Sequence, residues 1–89
     1  MFLDFSQLTS IDLSNNPELT HLYLDDNELS SIDLTNNSEL LELSLFSNNL
    51  TYIDVTNNTE LARLGLSENP LSPEAKEYLA TLDGKIVTY

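Results

Sequence analysis

The feature that most constrains the fold of this chain is a phrase of 21 residues that occurs three times in succession. The copies are LTSIDLSNNPELTHLYLDDNE at 8–28, LSSIDLTNNSELLELSLFSNN at 29–49 and LTYIDVTNNTELARLGLSENP at 50–70. About half of the 21 positions are identical in all three copies. Repetition at a fixed period of about 20 to 50 residues is typical of solenoids, in which each repeat packs against its neighbours. We therefore predict a repeat solenoid.

Each repeat contains two phrases with the period of a β-strand, at 8–16 and 19–27 in the first copy. In the second phrase, alternation places Leu22 and Leu24 on one face and Tyr23 on the other. We predict that equivalent strands of successive coils stack in parallel, with a strand on both sides of each coil. The expected fold class is an α/β-type repeat solenoid that is predominantly parallel β.

The second phrase matches the pattern L-x-x-L-x-L-x-x-N-x-L without a gap in all three copies. This pattern resembles the leucine-rich repeats, in particular the 21-residue repeats of bacterial surface proteins related to the internalins. The resemblance implies a right-handed coil with a binding site on the inner, concave sheet face. It also implies a parent protein that is secreted or at the cell surface, although Met1-Phe2-Leu3-Asp4 lacks the basic start and long apolar core of a signal peptide.

The first seven residues differ from the repeats that follow. Shifted by 21 residues, 1–7 align with the second half of a repeat, and Leu3 then occupies a core position. We interpret 1–7 as a half-repeat that leaves the N-terminal end of the solenoid uncovered, as expected of a truncated or engineered fragment.

The last segment, 71–89, has the pattern of a cap. Ser72-Pro73-Glu74 is a typical helix start, with Ser72 as the N-cap and Pro73 at the first helical position. Asp83-Gly84 is expected to end the helix, and 86–89 to form a final strand. A single domain, 1–89, is then closed at its C-terminal end.

Two asparagine columns recur at the corners between the phrases. An asparagine amide has two donors and one acceptor oxygen, so it can bond to backbone groups of its own coil and of the next. We interpret the column after the second strand as a structural ladder, consisting of Asn27, Asn48 and Asn69. We expect a similar role at the opposite corner for Asn16, Asn37 and Asn58.

The charge balance excludes two classes of partner. Fifteen acidic residues against three basic ones give a net charge of −12, whereas nucleic acids and anionic membranes require clustered Lys and Arg. No apolar run is long enough to span a bilayer. There is no cysteine for a disulfide or a thiolate metal site, and we expect no cofactor. The acidic surface would attract basic proteins or divalent cations.

Catalytic residues are scarce. His21 is the one histidine, and alternation places it on an exposed face near Glu42. A general base also needs a nucleophile and a pocket, whereas a small parallel solenoid offers a shallow surface. We expect no enzymatic activity.

A column of carboxylates lies within the first phrase, at Asp12, Asp33 and Asp54. Carboxylates about 5 Å apart in water repel one another by roughly 1 kcal/mol per pair. The hydroxyl groups two residues later in each copy can relieve this repulsion by donating hydrogen bonds. The alternative is weak Ca²⁺ binding, since hard cations prefer several oxygen ligands.

The outward positions of the second phrase vary between copies, while their leucine neighbours do not. Aromatic side chains inside a polar rim favour a protein interface. The expected partner-binding residues are His21, Tyr23, Asp25, Glu42, Ser44, Phe46 and Arg63, and the face continues to Gly65 and Ser67. Our first hypothesis is a non-catalytic module that binds another protein through this face.

The alternative hypothesis is self-association of a scaffold through its uncovered N-terminal edge. An unpaired strand edge can pair with a second copy of the chain and give a homodimer. The expected edge residues are Phe2, Leu3, Asp4 and Phe5.

Overall fold

The computed structural model describes all of residues 1–89 and contains one parallel sheet and one helix. The strands are β1 (His21–Tyr23), β2 (Glu42–Ser44), β3 (Arg63–Gly65) and β4 (Ile86–Thr88), and the helix α1 spans Pro73–Ala80. The spatial order β1-β2-β3-β4 follows the chain. The prediction of a parallel-β repeat solenoid is confirmed.

The strand register follows the sequence period. His21 pairs with Glu42, and Glu42 pairs with Arg63, so equivalent residues lie side by side. The next pair in this row joins Arg63 to Ile86, two residues beyond the period. Phe2 forms an isolated parallel bridge with Tyr23, so 1–7 lie along the free edge of β1.

Stacked leucines and isoleucines fill the interior. Leu22, Leu43 and Leu64 point inward from the first three strands and are buried. The first coil is covered less completely: Leu8 is partly buried, whereas its equivalent Leu29 is fully buried. Burying an aliphatic side chain stabilises a fold by about 1.5–3 kcal/mol, so the inner columns hold the coils together.

The first phrase does not form a strand, and the prediction of a strand on both sides of each coil is wrong. In the first coil the N–H of Asn16 donates to Leu13 O (3.1 Å), and the N–H of Leu19 donates to Asn16 O (3.2 Å). The N–H of Ser14 donates to a carboxylate oxygen of Asp12 (2.9 Å). These local bonds use the backbone groups that a ladder between coils would need.

Helix α1 begins as predicted and ends earlier than predicted. The hydroxyl oxygen of Ser72 accepts a hydrogen bond from the N–H of Ala75 (3.1 Å), which is the geometry of an N-cap. The helix ends at Ala80 rather than at Asp83-Gly84, with Thr81 as its C-cap. Gly84, at φ 76°, lies in the turn that leads into β4.

Candidate functional site

The outward side chains of the sheet lie together on one surface, which we call the sheet face. Register places His21, Glu42, Arg63 and Ile86 in one row across the four strands. The next row consists of Tyr23, Ser44, Gly65 and Thr88. Asp25 and Phe46 follow two residues after Tyr23 and Ser44.

Tyr23 is held by contacts with both neighbouring coils. Its ring stacks on Phe2 with a centroid distance of 4.7 Å, and its hydroxyl donates to Glu42 Oε2 (2.7 Å). The hydrogen bond to the Glu42 carboxylate is the main cause that raises the pKa of Tyr23 above its ordinary value. His21 Nε2 lies 4.0 Å from the same Glu42 oxygen. Two residues predicted to bind a partner, His21 and Tyr23, therefore lie around the carboxylate of a third, Glu42.

Asp25 has a second role that its position in the sequence does not reveal. Its Oδ1 accepts hydrogen bonds from the hydroxyl of Ser44 (2.7 Å) and from the N–H of Phe46 (2.8 Å). Asp4 makes the equivalent bond one coil earlier, accepting from the N–H of Asp25 (2.6 Å). Asp25 and Ser44 thus join adjacent coils as well as lying on the sheet face.

A shallow depression of about 220 Å³ lies beside Phe46 and is lined by residues of the last three strands. Its floor is Gly65, where an added Cβ would lie 3.4 Å from Phe46 Cζ. Ile86 and Thr88 also line the depression. Both were assigned to the cap from the sequence, which predicted a strand at 86–89 but did not show which of its side chains face outward.

His21 lies on the exposed surface beside Thr20 and Glu42. Its Nδ1 lies 3.0 Å from Thr20 Oγ1, and its ring is exposed beside Glu42. Neither neighbour is a nucleophile set in a pocket, which general-base catalysis would require.

The asparagines that follow the strands hydrogen-bond to backbone groups of two coils. Asn48 Nδ2 donates to Leu24 O (3.0 Å) and to Leu45 O (3.1 Å), and its Oδ1 accepts from the N–H of Leu29 (3.1 Å). The same kinds of bonds are made by the equivalent residues, Asn27 and Asn69. These side chains are occupied by the frame rather than offered to a ligand.

The asparagines of the opposite corner have fewer partners. Asn37 Nδ2 donates to Leu13 O (3.1 Å) and to Asn16 O (2.9 Å), both in the preceding coil. The buried Oδ1 atoms of Asn37 and Asn58 have no hydrogen-bond partner. This corner therefore satisfies its polar groups less completely than the corner after the strands.

Each carboxylate of the aspartate column binds a hydroxyl group of its own coil. Asp33 Oδ1, for example, accepts from the N–H (3.0 Å) and the hydroxyl (2.7 Å) of Thr35. Donated bonds of this kind lower the pKa of Asp33 and of its equivalents, Asp12 and Asp54. No group of three or more His, Cys, Asp or Glu side chains in the structure could hold a metal ion, so geometry lends the Ca²⁺ hypothesis no support.

The N-terminal edge exposes two phenylalanines. Phe2 and Phe5 are 78% and 77% exposed, while Leu3 packs partly against the core. Asp4 is occupied by its bond to the N–H of Asp25. Phe5 adopts a φ of 56°, in the left-handed region, as does its equivalent Asp26 one coil later at 59°. This edge is therefore apolar and locally strained.

Comparison with known proteins finds a solved structure with a similar fold. The chain superimposes on the structure of the Leptospira interrogans leucine-rich-repeat protein LIC12759 with a TM-score of 0.86 and 26% sequence identity. The match covers 93% of this chain and 23% of that protein, so the chain spans about a quarter of its length. No model of a protein family and no curated protein sequence matches the chain. The single helix is too short to cross a membrane.

Proposed function

We propose that this leucine-rich-repeat solenoid is a non-catalytic module that binds another protein through its sheet face. One contrast within the strands carries the proposal. The inward positions are Leu22, Leu43 and Leu64, which are identical and buried, whereas the outward positions beside them carry a different side chain in each coil. A constant frame with a variable face is how repeat proteins present binding surfaces.

The chemistry of the sheet face also supports a protein partner. The stacked pair of Phe2 and Tyr23 and the 38% exposed ring of Phe46 are surrounded by polar side chains. Large aromatic groups inside a polar rim supply most of the binding energy at protein interfaces. With a net charge of −12, the chain attracts a basic partner and accelerates the encounter with it.

The test removes both aromatic anchors in the double variant Tyr23→Ala/Phe46→Ala. We expect capture of a partner from a lysate of the source organism to be lost, measured by affinity purification with quantitative mass spectrometry. The matched control is Tyr52→Ala, which removes an exposed, stacked tyrosine that lies outside the sheet face. Capture that survives the double variant and is lost in the control would contradict the proposal.

A second candidate function is self-association through the N-terminal edge. The exposure of Phe2 and Phe5 favours contact between this edge and another apolar surface. That surface is either a further coil of a longer chain or a second copy of this chain. Light scattering after size exclusion separates the two: a dimer that Leu3→Asp converts to a monomer supports self-association, and a monomer at millimolar concentration rules it out.

Within the fold, we assign the chain to the 21-residue class of bacterial surface repeats and 71–89 to a C-terminal cap. The pairing of His21 with Glu42 supports the first assignment, because the structural period equals the sequence period. The buried contact of Leu79 with the core supports the second. Leu79→Ala is expected to lower the free energy of unfolding by about 2–5 kcal/mol in urea titrations, and an unchanged midpoint would argue against a cap.

A further inference from the structure

We infer that the depression over Gly65 is a specificity pocket for an aromatic side chain carried on a basic segment of the partner protein. The inference rests on the proposed role of the sheet face. It goes further by naming the part of the face that selects the partner and the chemistry that it selects.

The fold does not require glycine at position 65. Its φ is outside the left-handed region, and an added Cβ would lie 3.4 Å or more from its neighbours, at Phe46 and Ser44. Glycine inside a strand costs about 0.5–1 kcal/mol relative to alanine. It often marks a place where a ligand approaches the backbone closely. The missing side chain opens the floor of the pocket.

The walls of the pocket suit an aromatic ring in shape and polarity. The Phe46 ring stands beside the floor, and Ile86, which is 61% exposed, also lines the pocket. Thr88 adds a hydroxyl group, and a volume of about 220 Å³ accommodates the ring of an aromatic residue. Ring contacts with Phe46 add about 0.5–1.5 kcal/mol beyond the apolar area that they bury.

Arg63 brings a positive charge to the pocket. Arg63 lines the pocket, and its guanidinium group makes no hydrogen bond or ion pair within the chain. A cation against an aromatic ring contributes about 0.5–2 kcal/mol, whereas an aliphatic side chain gains nothing comparable. Arg63 therefore favours an aromatic occupant over an aliphatic one of similar size.

Charge complementarity specifies what surrounds the aromatic ring. Glu42 lines the same pocket, Asp25 lies beside it on the sheet face, and the whole chain carries a charge of −12. An acidic segment would be repelled at this site in spite of Arg63. Charge complementarity therefore favours lysine or arginine on either side of the aromatic anchor.

The test is a titration of the ¹⁵N-labelled full chain with capped pentapeptides, followed by NMR. The probe is Lys-Lys-Trp-Lys-Lys, and its control is Lys-Lys-Ala-Lys-Lys. We expect the tryptophan peptide to shift the amide signals of Gly65 and Phe46, and the alanine peptide to leave them in place. The variant Gly65→Leu fills the pocket and is expected to weaken binding of the tryptophan peptide about tenfold. Ala62→Leu adds the same side chain outside the pocket lining and is expected to have no effect.

Arg63→Gln provides a second variant that leaves the pocket open. It makes the sheet face more negative, so purely electrostatic binding of a basic peptide would strengthen. Loss of the cation is instead expected to weaken binding of the tryptophan peptide about threefold. Equal shifts by both peptides, or stronger binding of both to Arg63→Gln, would overturn the pocket and leave binding by the sheet face intact. The absence of shifts at Gly65 and Phe46 would also overturn the pocket, while the capture experiment decides the proposed function independently.

Discussion

On the sheet side of each coil, hydrogen bonds between backbone groups join neighbouring coils. On the opposite side, the side chains of asparagines make the connection. In the sheet, the N–H of Leu24 donates directly to Ser44 O of the next coil (2.9 Å). On the opposite side, which we call the turn side, Asn37 reaches back to Leu13 O and Asn16 O (3.1 and 2.9 Å).

This difference explains which residues vary between the copies. Where the backbone joins the coils, the outward side chain differs in each copy, as at His21, Glu42 and Arg63. Where side chains satisfy the backbone, they are restricted to types that can do so, such as Asp33 with Thr35. Variation between the copies is therefore concentrated on the sheet face, which is why we propose it as the binding surface, whereas the constant polar residues of the turn side join the coils.

The largest expected effect comes from removing an asparagine at the corner after the strands. Asn48→Leu leaves Leu24 O, Leu45 O and the N–H of Leu29 without this partner. A buried unsatisfied group costs about 1–3 kcal/mol, so we expect the free energy of unfolding to fall by about 3 kcal/mol or more. Urea unfolding followed by circular dichroism measures the change.

The matched variant on the turn side is Asn37→Leu. It leaves the carbonyl groups of Leu13 and Asn16 without a side-chain donor, but it also removes an amide oxygen that has no partner. We expect a loss of about 1–2 kcal/mol. Equal losses for the two variants would show that the two corners do not differ as described.

A pair of threonine substitutions compares the two sides directly. Thr35→Val removes the hydroxyl that donates to Asp33, and we expect a loss of about 0.5–1.5 kcal/mol. Thr88→Val changes an exposed position on the sheet face, and we expect a change within about 0.5 kcal/mol. A larger loss for Thr88→Val than for Thr35→Val in thermal unfolding would reverse the comparison.

One position of the corner after the strands has a left-handed φ in every copy, at Phe5, Asp26, Ser47 and Glu68, while its side chain varies. Phe5 has a φ of 56°, a conformation that costs bulky residues about 1–2 kcal/mol and that asparagine tolerates. Phe5→Asn is expected to raise the free energy of unfolding by about 0.5–1 kcal/mol. The control is Phe2→Asn, which removes an equally exposed ring but loses its stack on Tyr23. Stabilisation by both variants would attribute the gain to the removal of exposed apolar surface instead.

The smallest expected effect is the change of stability with pH that the aspartates of the turn side cause. The pKa values of Asp12, Asp33 and Asp54 are lowered from 3.8 in the folded protein, mainly by hydrogen bonds from Ser14, Thr35 and Thr56. A carboxyl whose pKa is lower when folded stabilises the fold above its unfolded pKa, and the contribution disappears as the pH falls through the folded value. Stability is therefore expected to decrease as the pH falls below 3.8.

The triple variant Asp12→Asn/Asp33→Asn/Asp54→Asn keeps an acceptor oxygen at each site and cannot titrate. Its melting temperature is expected to depend less on pH below 3.8 than that of the parent chain. Glu18→Gln/Glu39→Gln/Glu60→Gln makes the same change in net charge at side chains that form no hydrogen bonds in the structure. If both triple variants flatten the profile equally, general charge repulsion and not the turn-side bonds is the cause.

Most of the sheet face could be predicted from the sequence because a strand alternates its side chains strictly. The alternation around Leu22 was enough to place Tyr23 outward, and the 21-residue period was enough to place Ser44 beside it. The contribution of Ile86 could not be derived in the same way, because the cap does not follow the period. Nor did the pattern show that Asp25 holds the N–H of Phe46, since that bond depends on the spacing between coils.

The strand predicted at 8–16 shows why pattern alone was insufficient. Alternating leucines and isoleucines indicate which side chains are buried, and that was correct for Leu13. They do not indicate whether the backbone finds its partners in the next coil or within its own. In this coil, Ser14 hydrogen-bonds to Asp12, so its backbone finds a partner within its own coil.

The sequence by itself determined the repeat, its period, the inward columns and the outward variation, because these follow from residue type and spacing along the chain. The tertiary structure decided which side of the coil became the sheet, how α1 and β4 met the third coil, and where Gly65, Phe46, Arg63 and Ile86 formed a pocket. The physical reason is that hydrogen-bond partners and pocket walls come from different coils. Such contacts exist only once the coils have stacked.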